Sequence, residues 1–178
     1  MKDLLNKAKR QNKYLQLYSN PDETDRFVFG RVLAANEDFA AILMASPYGH
    51  YDGVLIKPCE YFYRIDEDGS YTERMIRLID FDIDSIPAWN FTDDGVLRQG
   101  LEFARGNNKI VSCELLHSGY DDVCGFIEAF DDDICIVKLV DADGNDDGTA
   151  HFGISDVTQL SIDSEDEQRI LRLWQALR

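Results

Sequence analysis

The side chains best suited to chemistry in this chain are carboxylates. From Asp141 to Gly148 it reads DADGNDDG, and Asp141-x-Asp143-x-Asn145 matches the opening of an EF-hand calcium loop. Loop position six, where a sharp turn needs glycine, is Asp146. Position twelve, where a bidentate glutamate closes the shell, is Phe152. The run Asp131-Asp132-Asp133 has the residue types of a paired acid and base, but its place before a strand-like stretch fits a solvated turn. His50, His117 and His151 are isolated, with no HxxxH or Cys/His cluster for zinc; His50 falls in a turn and His151 on a strand. Cys59, Cys113, Cys124 and Cys135 show no CxxC spacing, and three lie in strand-like runs, where a thiol behaves as a small buried hydrophobe. Neither a Gly-rich phosphate loop nor a GxSxG elbow is present. No catalytic or metal-ligating residue and no cofactor is therefore assigned, the binding residues stay unassigned, and an enzyme is not expected. Whether the Asp141–Asp147 loop takes a cation stays open.

The elements that position these residues come in two sets. Residues 28–65 correspond to residues 123–160 at a constant offset of 95. Gly30 falls on Gly125, Ala34 on Ala129, Asp38 on Asp133, Gly49 on Gly144, and Asp52-Gly53 on Asp147-Gly148. Apolar character is kept in Val32 and Ile127, Phe39 and Ile134, Ile42 and Val137, Met44 and Leu139, Ile65 and Leu160. This spacing implies a duplicated small β-unit. It also bears on the acidic loop: the corresponding stretch SPYGHYDG, residues 46–53, holds a single carboxylate, so a tight hairpin turn suits both copies better than calcium does.

Each copy opens on an amphipathic helix, with Met1, Leu5 and Ala8 on one face and Leu97, Leu101 and Ala104 on the other copy's face. Both helices run into an Asn-Lys dipeptide, Asn12-Lys13 and Asn108-Lys109. A strand follows, with Leu15 and Leu17 or Val111, Cys113 and Leu115 at alternate positions. The next turn is SNPDETD in one copy and HSGYDD in the other. The second strand carries Gly30 or Gly125, a mark of a bend, a bulge or a close backbone approach. Phe39–Ala45 and Ile134–Val140 give the third strand, a fourth follows the Asp-Gly turns, and Phe62–Ile65 or Val157–Leu160 gives the fifth. Ser70-x-x-Glu73 and Ser164-x-x-Glu167 have the capping-box spacing. The second precedes a terminal helix; the first runs into IDFDID, residues 79–84, which alternates like an extra strand. The division expected is a first repeat over 1–79, a linker over 80–95 with Pro87, Trp89 and Phe91 packed down, and a second repeat over 96–178.

The chain has 178 residues, 44% hydrophobic and 11% aromatic, enough for packed cores. Its net charge is −16. Residues 1–95 hold 17 acidic against 11 basic side chains and residues 96–178 hold 17 against 7, so both halves are acidic. Such a surface repels phosphate backbones and makes nucleic acid an unsuitable partner. The opening MKDLLNKAKRQNK lacks the apolar core of a signal peptide, and no apolar run approaches the roughly 20 residues of a membrane span. A cytoplasmic protein without membrane contact is the expectation, in keeping with unpaired cysteines.

Helix, five short strands and a glycine in a bent second strand together resemble the Sm-like fold, the small β-barrel of the Hfq and Sm/LSm proteins. The residues carrying the likeness are Gly125-Phe126-Ile127-Glu128-Ala129-Phe130-Asp131. The resemblance implies mainly β architecture with flanking helices, in which two five-stranded Sm-like barrels each follow a short helix. The family's RNA contacts are not retained: Asp131 matches, but the asparagine expected four residues on is Cys135, and the first copy has Asn36 and Ala40. At the second contact loop stand Phe152-Gly153 and Lys57-Pro58. Phenylalanine cannot replace a cation that holds phosphate.

The function expected is a non-enzymatic interaction or scaffolding protein, whose partner is a protein or, through edge strands, another copy of itself. Two readings stand beside it: an RNA-binding Sm-like protein with a diverged site, and an enzyme or ligand sensor using a pocket between repeats. The aromatics Tyr48, Tyr51, Tyr61, Phe62 and Tyr63 suggest packing between units ahead of a partner surface.

Overall fold

The two Asn-Lys dipeptides end helices in the same way. Helix α1 (Lys2–Arg10) closes with Asn12 in the left-handed region at φ 54°. Its N–H donates to the Lys9 carbonyl at 3.0 Å and the Lys13 N–H to the Ala8 carbonyl at 3.0 Å. Helix α3 (Val96–Gly106) closes with Asn108 at φ 50°, and Asn108 and Lys109 donate to the Arg105 and Ala104 carbonyls. Asparagine tolerates this conformation because its short polar side chain bonds locally, so the last carbonyls are satisfied without glycine. The lysine that follows reaches an acid at the other end of its unit: Lys13 meets Asp68 at 2.8 Å and Lys109 meets Asp163 at 2.9 Å.

This computed structural model describes residues 1–82, 86 and 89–178. It divides into two compact units, Met1–Val96 and Leu97–Arg178. The first contains α1, β1 (Tyr14–Tyr18), β2 (Val28–Ala35), β3 (Phe39–Ala45), β4 (Tyr51–Pro58), a 3-10 turn, β5 (Arg64–Glu67) and helix α2 (Ser70–Leu78). The second contains α3, β6 (Ile110–Leu115), β7 (Val123–Phe130), β8 (Ile134–Val140), β9 (Asp146–Gly153), a 3-10 turn, β10 (Val157–Ile162) and helix α4 (Glu165–Ala176). The chain is thus mainly β with flanking helices.

In the first unit the antiparallel strands lie in the order β5-β1-β2-β3-β4, and in the second β10-β6-β7-β8-β9. Registers correspond at the offset of 95. Gly30 faces Met44 and Gly125 faces Leu139, with bulges at Val32/Ala34 and at Ile127/Ala129. The glycines sit where the neighbouring strand comes closest. A Cβ on Gly30 would lie 2.3 Å from the Leu43 carbonyl oxygen, and one on Gly125 2.0 Å from that of Lys138. Close backbone approach is what these positions require.

The closed Sm-like barrel does not form. A barrel needs its first and last strands to share a ladder. Among the described residues β5 ends the order of its unit, pairing with β1, and β4 is not its neighbour. Four-residue β5, with charged Arg64 and Glu67 exposed, makes a short blunt edge instead of a seam. The sheet is open, and its glycine bends serve strand-to-strand packing.

Both faces of the first unit's sheet are covered. Leu5 and Ala8 of α1 pack with Leu15, Leu17, Val32, Ile42, Leu55 and Phe62 on one face. On the other, Met75 of α2 joins Phe29 and Ala45, with Tyr14, Phe27 and Tyr71 around them. This explains why β1 is buried at four consecutive positions instead of alternating. Met1, placed on the apolar face of α1 by spacing, is exposed. In the second unit Ile170 of α4 packs on Ile110, Phe126 and Val140, with Trp174 4.8 Å from the Phe126 ring.

Other local expectations fare unevenly. Ser164 and Glu167 form the capping box of α4. Ser70 does not cap α2: it is the first helical residue, and Gly69, at φ 92°, holds the cap position without a side chain to offer. The fifth strand of the first unit starts two residues later than expected. No strand covers residues 79–82, and Ile83 and Asp84 lie outside the described residues, as do Ser85, Pro87 and Ala88 of the expected linker.

Candidate interaction surface

The acidic loop spends its oxygens on itself. The Asp141 carboxylate accepts N–H bonds from Asp143 at 2.9 Å and Asn145 at 2.8 Å, and a further bond from the Asn145 side chain at 3.0 Å. The Asn145 bonds foremost hold its pKa below the ordinary carboxylate value. Asp146 accepts from Trp174 Nε1 at 3.0 Å and meets Lys138 at 3.0 Å and Arg178 at 2.5 Å, which holds its carboxyl at about 2. The Arg178 guanidinium lies 3.9 Å from the centre of the Trp174 ring. Gly144 sits against α4, where a Cβ would come 2.5 Å from the Trp174 nitrogen. The loop is therefore the seat of α4. Among the described residues no group of three or more His, Cys, Asp or Glu is arranged to hold a metal ion.

Asp131 has a comparable structural duty. Its Oδ1 accepts the N–H groups of Asp133 and Ile134, both at 2.8 Å, and in the other unit Asn36 Oδ1 accepts those of Asp38 at 2.9 Å and Phe39 at 2.7 Å. Both are side-chain-closed turns between paired strands. Asp132 is exposed and pairs with Arg98 at 2.6 Å. The triple-aspartate run thus belongs to a solvated turn.

The histidines are not brought together. His50 Nδ1 pairs with Asp80 at 2.6 Å, tying the β3–β4 turn to the residue beyond α2; His117 lies in the β6–β7 turn and His151 is exposed on β9. The four cysteines are free. Burial raises the Cys59 thiol above its ordinary pKa, pushes Cys124 and Cys135 up to about 11, and raises Cys113 well above its ordinary value. They stay protonated at neutral pH, and a protonated thiol is a poor nucleophile.

The aromatic run separates by environment. Phe62 is buried in the first unit's core, Tyr51 meets Phe81 edge-on at 6.0 Å, and Tyr63 lies 6.3 Å from the Tyr18 ring. Tyr48, though exposed, has its ring 6.4 Å from that of His50, so these four find ring or core partners within Met1–Val96.

What the geometry does offer is an edge. Strand β9 ends the order of its unit and pairs on one side with β8. Residues 146–149 and His151 are exposed. Beyond Asp147 the strand reads GTAHFG, with no proline and no lysine. Such a margin presents unpaired N–H and C=O groups to any incoming chain. Sequence reading singled out edge strands in general but not this one; the uncharged run after Asp147 is the signal that marks it.

Comparison with models of protein families, with curated proteins and with solved structures finds no match for this chain. The Sm-like resemblance therefore has only short apolar motifs behind it, and the open sheet overturns it. At the positions it would assign to RNA contact, Ala40 and Cys135 are fully buried and Phe152 nearly so, with Asn36 and Asp131 closing turns.

Proposed function

We propose that the chain is a non-enzymatic interaction protein that takes up a partner's strand along β9. The observation that carries this reading is the open edge of β9, where the six residues after the exposed Asp146-Asp147 pair carry none of the charges that blunt β5. The net charge of −16 favours a basic protein partner over nucleic acid and opposes pairing of identical chains. Protonated, unpaired cysteines support action in the reducing cytoplasm. Among the described residues no helix is long and apolar enough to cross a membrane. The shared offset and registers support an origin of the two units by copying of one.

Thr149→Pro and Ala150→Pro test it. Neighbouring N–H groups point to opposite edges of a strand, so one of the two prolines removes an outward donor and the other an inward one. The outward variant is expected to keep its circular dichroism and thermal midpoint while losing capture of a basic partner in pull-downs at moderate salt. Capture equal to wild type by both folded variants would sink the edge reading.

A further inference from the structure

The turn between β6 and β7 carries more order and more apolar surface than a connection needs. Leu116 is 71% exposed and Tyr120 78% exposed. Leu116 and His117 are consecutive non-glycine residues in the left-handed region, at φ 51° and 58°. Side chains rarely adopt this conformation once, and a leucine gains nothing local from it.

Hydrogen bonds hold the loop in that shape. Leu115 N–H donates to Asp122 Oδ2 at 2.8 Å, Leu116 to the Asp156 carbonyl at 2.9 Å and His117 to Thr158 Oγ1 at 3.2 Å. Ser118 donates to the Leu115 carbonyl at 3.1 Å, Gly119 to Glu114 Oε1 at 3.0 Å and Tyr120 to Ser118 Oγ at 3.1 Å. Every backbone donor from 115 to 120 is thus satisfied. The loop is built rigid, and it presents Leu116 and Tyr120 to water beside the exposed His117 and Ser118.

The corresponding turn of the first unit shows that the fold does not demand this. Residues 19–25, SNPDETD, contain no large apolar side chain and none with a left-handed φ. Rigid presentation of exposed apolar groups is the arrangement that lowers the entropic cost of binding. The surroundings state the charge of what binds. Glu114 and Asp122 accept the loop's own N–H groups, and Asp121 between them is raised above its ordinary pKa by lost hydration and then by nearby carboxylates, so the loop's base is acidic.

We infer that Leu116 and Tyr120 form a docking surface for a basic peptide segment of a partner protein, an apolar side chain seating on the loop and flanking Lys or Arg meeting Glu114, Asp121 and Asp122. This rests on the reading of the chain as an interaction protein, at a second place on it.

A random peptide library displayed on phage and panned against the full chain tests the inference. The expected result is enrichment of peptides combining Lys or Arg with a large apolar residue, their affinity falling at least ~10-fold in the Leu116→Ser/Tyr120→Ser double variant and falling further with salt. Both side chains are mostly solvent-exposed, and circular dichroism confirms that the variant is folded. Failure to enrich, enrichment of acidic peptides, or equal binding to the double variant would overturn it. The β9 proline variants keep the loops apart from the edge: peptides lost there but retained by the double variant would refute this surface while leaving the edge reading intact.

Discussion

Gly125 and Gly148 are separated by what surrounds them. A methyl group on Gly125 would strike the Lys138 carbonyl at 2.0 Å, whereas nothing lies within 4 Å of one on Gly148, whose φ of +88° is the sole obstacle. Gly125→Ala should therefore destabilise by roughly 3 kcal/mol or more and Gly148→Ala by about 1 kcal/mol, read from urea denaturation midpoints. Similar losses in the two would show that β7 and β8 lie farther apart than described. Asp146 makes a pH prediction. Its pKa of about 2 lies below that of a free carboxylate, so its contribution is fully present above the unfolded value of about 4 and is lost as pH falls through 2. In a Trp89→Phe background, Trp174 fluorescence should change across that window, and Asp146→Asn should abolish the change. Glu167 works in the opposite sense. Burial raises its pKa despite hydrogen bonds from Ser112 and Ser164, so part of the fold's stability is lost as pH rises from the free glutamate value through the raised one.

At the scale of elements, the two capping-box sequences have different worth. Ser164→Ala removes a bond to the third-residue N–H of α4 and should cost about 1 kcal/mol in chemical denaturation. Ser70→Ala should change stability by no more than a few tenths, because Ser70 caps nothing. Spacing alone could not separate them: both read S-x-x-E, and the difference lies in Gly69, whose left-handed backbone moves the helix start back by one. Spacing did find β3 and β8 to the residue, since each is bounded by a turn whose Asn or Asp closes on its own backbone. It failed on sheet closure because strand composition does not say which strand is its neighbour's neighbour. The Leu116–Tyr120 surface was legible only as a turn. Leucine disfavours the conformation Leu116 holds, so local propensity points away from it, and the hydrogen bonds that enforce it come from as far along the chain as Thr158.

For the whole molecule, the excess of 34 acidic over 18 basic residues is an internal repulsion as well as a selector of partners. Raising sodium chloride from low to moderate concentration should raise the thermal midpoint, the reverse of what net-favourable surface ion pairs would give. An unchanged or lowered midpoint would mean that pairs such as Lys13–Asp68 and Lys109–Asp163 outweigh the repulsion. The same surplus guards the bare margin of β9. At the isoelectric point near 4.4 the guard stands down, and two chains can meet margin to margin, a pairing that uses up both β9 edges and closes at a dimer. Light scattering should then show the apparent mass doubling first in mild acid, with no longer species.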